Sequence, residues 1–177
     1  MYFIEKDNKI ALFSSDREVL ENTIRFSVDY KDAEIKETEE GYTIVDYQLM
    51  TIEEAEEVEA NKRKEIFLKA FFNVEGYGYY RRVPKGYQSA VESMNVLFNI
   101  ANLTKGLQAG LIIFYEEPDF TDETQCTEEW LIEHQIIMPA MTLEEFMQLY
   151  VAFMTAWNTN EHAIATSNSS NGGEQAS

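Results

Sequence analysis

The sequence predicts an α+β fold with a disordered C-terminal tail. Strand patterns dominate the first 50 residues and helix patterns dominate the rest, an order unlike the regular alternation of parallel-sheet proteins. Of the 177 residues, 45% are apolar and 13% are aromatic, which is enough for a packed core. We expect an α+β module over 1–50, a charged linker helix over 51–72, a mainly helical domain with a short strand over 73–158, and a tail over 159–177.

The N-terminal module is predicted to have the element order ββαββ. Two apolar segments within the first 13 residues flank a polar turn, the pattern of a β-hairpin. Serine and aspartate at 14–16 offer N-caps for a helix over 17–25. A second hairpin is predicted where 33–36 and 42–45 flank a Glu-Glu-Gly turn.

The linker helix begins with a capping box. Thr51 and Glu54 have the T-x-x-E spacing in which each side chain satisfies a free backbone amide of the other. The first half of the helix is acidic and the second half is basic, which complements the helix dipole. The first half therefore resembles a solvated arm between two modules.

The C-terminal domain follows a glycine-containing segment that we interpret as loop and short strand. Apolar residues at helical spacing predict a helix over 88–105, with Gly106 as its stop. An apolar run over 111–115 predicts a strand. Residues 127–138 fit either a helix or a strand.

A second capping box, Thr142 with Glu145, begins a last helix over 143–157. Apolar residues cover more than one stripe of this helix, so it is either central to its own domain or partly covered by another subunit. The interface interpretation selects Phe146, Tyr150, Phe153 and Trp157.

Charge is unevenly distributed along the chain, which has 14 basic and 32 acidic residues and a net charge of −18. Residues 1–60 carry −11, residues 61–87 carry +5, and residues 88–177 carry −12. Such a surface repels phosphate backbones and anionic membranes, so we expect neither direct nucleic-acid binding nor membrane binding. Basic protein partners are favoured.

The setting is expected to be reducing. Cys126 is the only cysteine, so no intrachain disulfide forms, and the first residues lack the pattern of a signal peptide. No apolar run approaches the length of about 18 residues that a membrane span needs. We expect a reducing cytoplasm, or a particle assembled there, as the setting.

No residue pattern identifies a reaction. The Gly76-Tyr77-Gly78 segment lacks the third glycine of a dinucleotide loop, and the acidic run over 116–123 lacks EF-hand spacing. Cys126, His134 and His162 are too scattered to predict a zinc site. We therefore expect no enzyme, no cofactor and no metal.

One segment interleaves aromatic and cationic side chains. Its members are Tyr77, Tyr79, Tyr80, Arg81, Arg82, Lys85 and Tyr87. Three uses are open: packing within the protein, a protein interface, or stacking on a polymer ligand. The interface interpretation selects Tyr77, Tyr79, Tyr80, Arg81, Arg82 and Tyr87.

Three stretches of sequence carry a resemblance to a known group of proteins. The stretches are YFIEKDNKIALFSSDREVLENT, AFFNVEGYGYYRRV and GLQAGLIIFYEEPDFTD. They resemble small accessory proteins encoded beside tail genes in tailed bacteriophages and prophages of gut bacteria. The resemblance implies a virion or tail accessory protein or an assembly factor, located in the virion or the bacterial host cytoplasm. It implies no catalytic residue.

Two functions follow as hypotheses. The first is a phage structural or interaction protein that acts by contacts with other phage structural proteins or with itself. The second is an acidic intracellular phage effector that inhibits a host nucleic-acid-binding protein by charge mimicry, with carboxylates in place of phosphates. The basic stretch over 61–87 weakens the second hypothesis, because a mimic would keep one sign of charge.

Overall fold

A computed structural model describes the backbone of residues 1–171 and the side chains of residues 1–162. Helices and strands are mixed along the chain, which confirms the α+β class. The chain divides into two compact units: unit 1 is Met1–Asn61 and unit 2 begins at Lys62. Within the described residues, no helix combines the length and the apolar character that crossing a membrane requires.

Unit 1 is built from short antiparallel strands and helical segments. Its elements are β1 Tyr2–Lys6, β2 Lys9–Ser14, α1 Arg17–Phe26, β3 Ile35–Glu37, β4 Tyr42–Val45, β5 Gln48–Thr51 and the first part of α2 Ile52–Ala70. The three-stranded sheet has the order β2-β1-β3, and β4 with β5 forms a separate ribbon. The predicted first hairpin is confirmed, since β1 pairs with β2.

The predicted second hairpin is wrong, and the order ββαββ is not confirmed. Strand β3 pairs with β1, where Phe3 lies opposite Lys36, instead of pairing with β4. Strand β4 pairs with β5 around Asp46 and Tyr47, whose φ angles are 49° and 63°. Two successive residues in the left-handed region make the tight turn that suits the twist of a hairpin. The Glu-Glu-Gly turn also forms, with the Tyr42 N–H donating to the Glu39 carbonyl at 3.2 Å, but it does not bring β3 and β4 together.

Unit 2 contains more strand than the sequence predicts. Its elements are the rest of α2, β6 Phe71–Val74, β7 Gly78–Arg81, α3 Ala90–Thr104, β8 Gly106–Leu107, β9 Ile113–Tyr115, a 3₁₀ turn Glu123–Cys126, α4 Glu128–Glu133, β10 Gln135–Ile137, β11 Met141–Thr142 and α5 Leu143–Asn171. An antiparallel sheet has the order β10-β9-β7-β6, and β8 pairs with β11. The ambiguous segment 127–138 holds both a helix and a strand.

Several element ends differ from the predictions. Helix α2 ends at Ala70, because the next two residues enter β6. Lys105, with φ 65°, is the left-handed C-cap of α3, and Gly106 already belongs to β8. Helix α5 continues past Trp157 to Asn171, so the predicted disordered tail is not confirmed over 159–171. The remainder of that predicted tail, 172–177, lies outside the described residues.

Both predicted capping boxes form. Thr51 Oγ1 accepts from the backbone N–H of Glu54 at 3.2 Å, and Glu54 Oε2 accepts from the Thr51 N–H at 2.9 Å. Thr142 and Glu145 repeat the arrangement at 3.2 and 2.8 Å. In each box these hydrogen bonds hold the pKa of the glutamate below its usual value. A four-residue signal thus fixes the start of each helix.

The core of unit 2 lies between its four-stranded sheet and the helices α3 and α5. Phe72, Phe114, Phe146 and Phe153 are fully buried there. Phe153 packs edge-on against Phe72 and Tyr80, with ring centroids 5.3 Å apart in each pair. A second, smaller cluster around Phe67, Phe71, Tyr79, Tyr115 and Leu131 covers the opposite side of the hairpin β6–β7.

Candidate functional site

Three of the predicted interface tyrosines, which lie in or beside the hairpin β6–β7, pack inside unit 2. Tyr79 and Tyr80 are adjacent in a strand, so their side chains point to opposite faces, and each joins a different core cluster. Both are buried. Tyr77 is half-buried and stacks on Phe114 at 5.6 Å. The interface interpretation is therefore wrong for Tyr79 and Tyr80, because buried rings cannot reach a partner.

Arg81 is held by groups of its own unit. Its guanidinium lies 4.9 Å from the ring of Phe71 and 5.1 Å from the ring of Tyr115. Its Nε donates to the Tyr115 hydroxyl at 3.2 Å, and Nη2 forms an ion pair with Glu128. Arg81 thereby links β7, β9 and α4, an internal use that the sequence analysis left open beside the interface.

Arg82 connects the hairpin to α2 and α5. Its side chain is only 12% exposed and forms an ion pair with Glu161 at 2.8 Å. Nε donates to the carbonyl oxygen of Leu68 at 3.1 Å, and the guanidinium lies near the rings of Phe72 and Trp157. Because the side chain is mostly buried, its cation–π contacts and its ion pair stabilise the packing of unit 2.

Helix α5 is central to its own unit, which is the alternative the sequence left open. Phe146 and Phe153 have no exposed surface, so they are not interface residues. Tyr150 is half-buried and donates from its hydroxyl to Asn95 Oδ1 at 3.0 Å. Trp157 is half-buried against Phe72, with centroids 5.3 Å apart. Packing against α3 and β6 accounts for these side chains.

The segment after β7 folds into a loop that borders a cleft. The N–H of Tyr87 donates to the carbonyl of Pro84 at 3.1 Å, and Gly86 between them has φ 88°. A positive φ at the third position defines a type II turn and favours glycine. The turn places Lys85 at its tip and returns Tyr87 to the rim of the cleft.

The cleft has a volume of about 450 Å³ and lies entirely within unit 2. Its lining comprises Tyr80, Arg81, Val83, Pro84, Lys85, Tyr87, Ser93, Leu97, Leu111, Ile113, Tyr115 and Glu128. Four of the predicted aromatic and cationic residues thus meet here: Tyr80, Arg81, Lys85 and Tyr87. The residues from α3, β9 and α4 were missed, because only the tertiary fold brings them beside the loop and no local signal marks them.

The polar groups of the cleft are largely satisfied within it. The Tyr80 hydroxyl and Ser93 Oγ share a hydrogen bond of 3.1 Å, and Ser93 Oγ also donates to the carbonyl of Ala90. Burial raises the pKa of the Tyr80 hydroxyl, so this group stays protonated at neutral pH. Lys85 is exposed and has no ion-pair partner among the described residues.

Acidic side chains of the run over 116–123 accept hydrogen bonds within their own loop. Asp119 accepts from the N–H and hydroxyl of Thr121, and Asp122 accepts from those of Thr124. Arg63 Nε donates to the carbonyl of Phe120 at 2.8 Å and ties the loop to α2. Within the described part of the chain, no three His, Cys, Asp or Glu side chains group as a metal site.

An apolar stripe lies exposed on α3. Val96, Ile100 and Leu103 follow at i, i+4 and i+7, so they share one side of the helix, and Leu103 is 83% exposed. Leu111 is also exposed, and it borders a shallow groove together with Ile100. Residues 93–104 contain no charged side chain. We call Val96, Ile100, Leu103 and Leu111 the α3 surface.

The comparisons with known proteins give no relative: no family model, curated protein or solved structure matches this chain.

Proposed function

We propose that this protein is a phage structural or interaction protein, associated with the virion or tail or with their assembly, and that it acts by protein contacts without catalysis. The observation that carries the proposal is the α3 surface. Large apolar side chains exposed at helical spacing are typical of protein interaction sites. The phage context rests on the sequence resemblance alone.

The α3 surface differs from its surroundings in charge. The chain carries −18, yet 93–104 carry no charge and Lys105 is the only charged residue over 93–115. Interface centres are depleted of charged residues, because burying an unpaired charge costs free energy. A neutral apolar helix face therefore desolvates at low cost.

The docking surface we propose replaces the one that the sequence suggested. The segment that interleaves aromatic and cationic residues and helix α5 place most of their aromatic rings in the cores of unit 2, whereas Leu103 contributes little to them. Burying an exposed leucine contributes about 1.5–3 kcal/mol, which offsets part of the cost of association.

The test compares two glutamate substitutions in the full chain. Leu103→Glu places a charge on the α3 surface, and Val151→Glu places one on an exposed position of α5 as the matched control. Light scattering after size exclusion would be measured for each variant, alone and with the products of the neighbouring tail genes. We expect the wild type and Val151→Glu to form a complex or an oligomer and Leu103→Glu to remain monomeric and folded.

The proposal fails if the wild type is a monodisperse monomer that captures no neighbouring gene product and is missing from purified particles. The charge-mimicry hypothesis has its own support in unit 1, where Glu53, Glu54, Glu56 and Glu57 are exposed on α2. Salt-sensitive capture of a basic nuclease, polymerase or repressor from host lysate, lost on replacing these glutamates by glutamine, would favour that hypothesis instead.

A further inference from the structure

We infer that the cleft beside the 82–89 loop binds a monocarboxylate with an apolar body, supplied as a free small acid or as the C-terminal residue of a peptide. The inference concerns a ligand site and does not depend on the proposed phage role. It rests on three properties of the cleft: its size, the apolar side chains at its mouth, and its single unbalanced positive charge.

The size and lining match those of small-ligand sites. A volume of about 450 Å³ falls within the range of roughly 300–1,000 Å³ typical of such sites. Leu97, Ile113 and Pro84 supply apolar walls, and the ring of Tyr87 closes one side. Apolar side chains and polar groups both line the cleft, so a ligand with an apolar body and one polar end finds a complement for each part.

Two apolar side chains stand at the mouth of the cleft with no partner in the core. Val83 is 63% exposed, and Leu111 is exposed on the other lip. The floor needs no polar ligand group, because the Tyr80 hydroxyl donates to Ser93 Oγ and Ser93 Oγ donates to the carbonyl of Ala90. An apolar ligand body would cover both lips and contact the floor without leaving a buried polar atom unpaired.

The charges of the cleft indicate a single negative group. Arg81 is balanced by Glu128, whereas Lys85 at the tip of the turn has no ion-pair partner among the residues that the structure describes. One unbalanced ammonium matches a carboxylate. A phosphate monoester, with its charge of about −1.5 to −2 at neutral pH, would meet Glu128 and the field of a chain of net charge −18.

The same charges orient the ligand. The carboxylate lies at the Lys85 side, where water still reaches it, and the apolar body points toward Leu97 and Ile113. Lys85 carries the preference for an acid over the matching amide, whereas Leu111 contributes to the binding of both. The two residues therefore predict separable effects.

The experiment is a titration of the full-length protein followed by its backbone amide NMR signals. The probes are phenylpropionate, phenylpropionamide, N-acetyl-leucyl-phenylalanine and the amide of that dipeptide. We expect saturable shifts confined to the cleft residues within 80–87, 93–97 and 111–115, with each acid binding more tightly than its amide. Lys85→Ala lowers the affinity for the acids by about 2- to 5-fold and leaves the amides unchanged.

The controls separate a site from a surface effect. Lys69→Ala, at an exposed lysine outside the cleft, leaves all four affinities unchanged. Leu111→Ser weakens acids and amides alike. Binding of the free acid alone identifies a small-molecule site, and binding of the peptide acid alone identifies a peptide C-terminus. Equal affinity for acid and amide, or no shift of the cleft residues with any probe, overturns the inference.

Discussion

Unit 1 and unit 2 differ in how deeply they bury apolar side chains. Five apolar residues are buried in unit 1: Phe3, Ile4, Leu20, Ile44 and Ala55. The described side chains of unit 2, up to residue 162, form two clusters of thirteen and five buried residues, built around aromatic rings. Because buried apolar area is the main source of stability, we expect unit 2 to hold most of the stabilising free energy.

The two units also use their positive charges differently. Lysines and arginines of unit 1 lie at its exposed surface, as in the pairs Arg17–Glu21 and Lys36–Glu5. Arg81 and Arg82 in unit 2 are packed against aromatic rings and link three or more elements. The positive charges that are concentrated in one part of the chain therefore contribute to packing inside unit 2 as well as to its surface.

The largest expected effect comes from the core of unit 2. Phe153→Ala removes a ring with no exposed surface and leaves a cavity between Phe72 and Tyr80. We expect the free energy of unfolding to fall by about 3–5 kcal/mol. Tryptophan fluorescence in urea measures it, because both tryptophans, Trp130 and Trp157, belong to unit 2. Val151→Ala, at an exposed position of the same helix, is the control, and an equal loss there would refute the assignment of the core.

A glycine pair tests how closely the strands of unit 2 approach each other. Gly78 has φ 112°, and a Cβ there would lie 2.8 Å from the carbonyl oxygen of Tyr115. Gly76 has φ 83° but open space around it. We expect Gly78→Ala to cost about 2–3 kcal/mol and Gly76→Ala about 1 kcal/mol, since only the first adds a clash to the backbone strain. Urea unfolding of both variants checks the order, and equal losses would contradict the close approach of β7 and β9.

Substituting one arginine in each unit compares how much each contributes to stability. Arg82→Ala removes an ion pair, a hydrogen bond and two ring contacts at a side chain that is 12% exposed. We expect it to destabilise the protein by about 1.5–3 kcal/mol, the range of hydrogen bonds to charged groups. Arg25→Ala, at an exposed position in the last turn of α1, should change stability by at most about 0.5 kcal/mol.

Thermal unfolding of the wild type, Arg82→Ala and Arg25→Ala under one buffer condition measures this difference. If Arg82→Ala left the thermal stability unchanged, the surface role that the sequence suggested for Arg82 would be favoured instead.

The smallest effect is a pH dependence in the acidic loop of unit 2. Hydrogen bonds from Thr121 and Thr124 hold the pKa values of Asp119 and Asp122 below the usual 3.8. Because the folded-state pKa is lowered, the carboxylates stabilise the fold fully above the unfolded-state value. That contribution is lost as the pH falls through the folded-state values. We expect the thermal midpoint to decline in the window below about pH 3.9, the ordinary aspartate pKa.

The variant D119N/D122N keeps an acceptor oxygen at each position but does not titrate, so its decline in this window should be smaller than that of the wild type. Glu123→Gln, at an exposed neighbour, serves as the control. Because Glu54 in unit 1 and Glu145 in unit 2 have the same direction of pKa shift, some decline remains in every variant. Identical pH profiles for the wild type and D119N/D122N would show that the loop contributes nothing.

Sequence reasoning succeeded where the signal spans a few residues. The capping boxes at Thr51 and Thr142 fix the starts of α2 and α5, and the polar turn after β1 fixes the first hairpin. It failed for β3, whose partner lies more than 30 residues away in β1. It also could not find the cleft, because Arg81 meets Tyr115 and Glu128 only across 34 and 47 residues.

The sequence by itself determined the fold class, where two long helices begin, and where positive charge is concentrated, since each depends on neighbouring residues. Only the tertiary structure decided that Tyr79 and Tyr80 are buried, that Leu103 is exposed, and that Lys85 stands at the rim of a cleft. The physical reason is that burial is a property of the pairs a residue makes across the fold. The sequence pattern of an aromatic strand is the same whether its partner is another strand of its own unit or a second molecule.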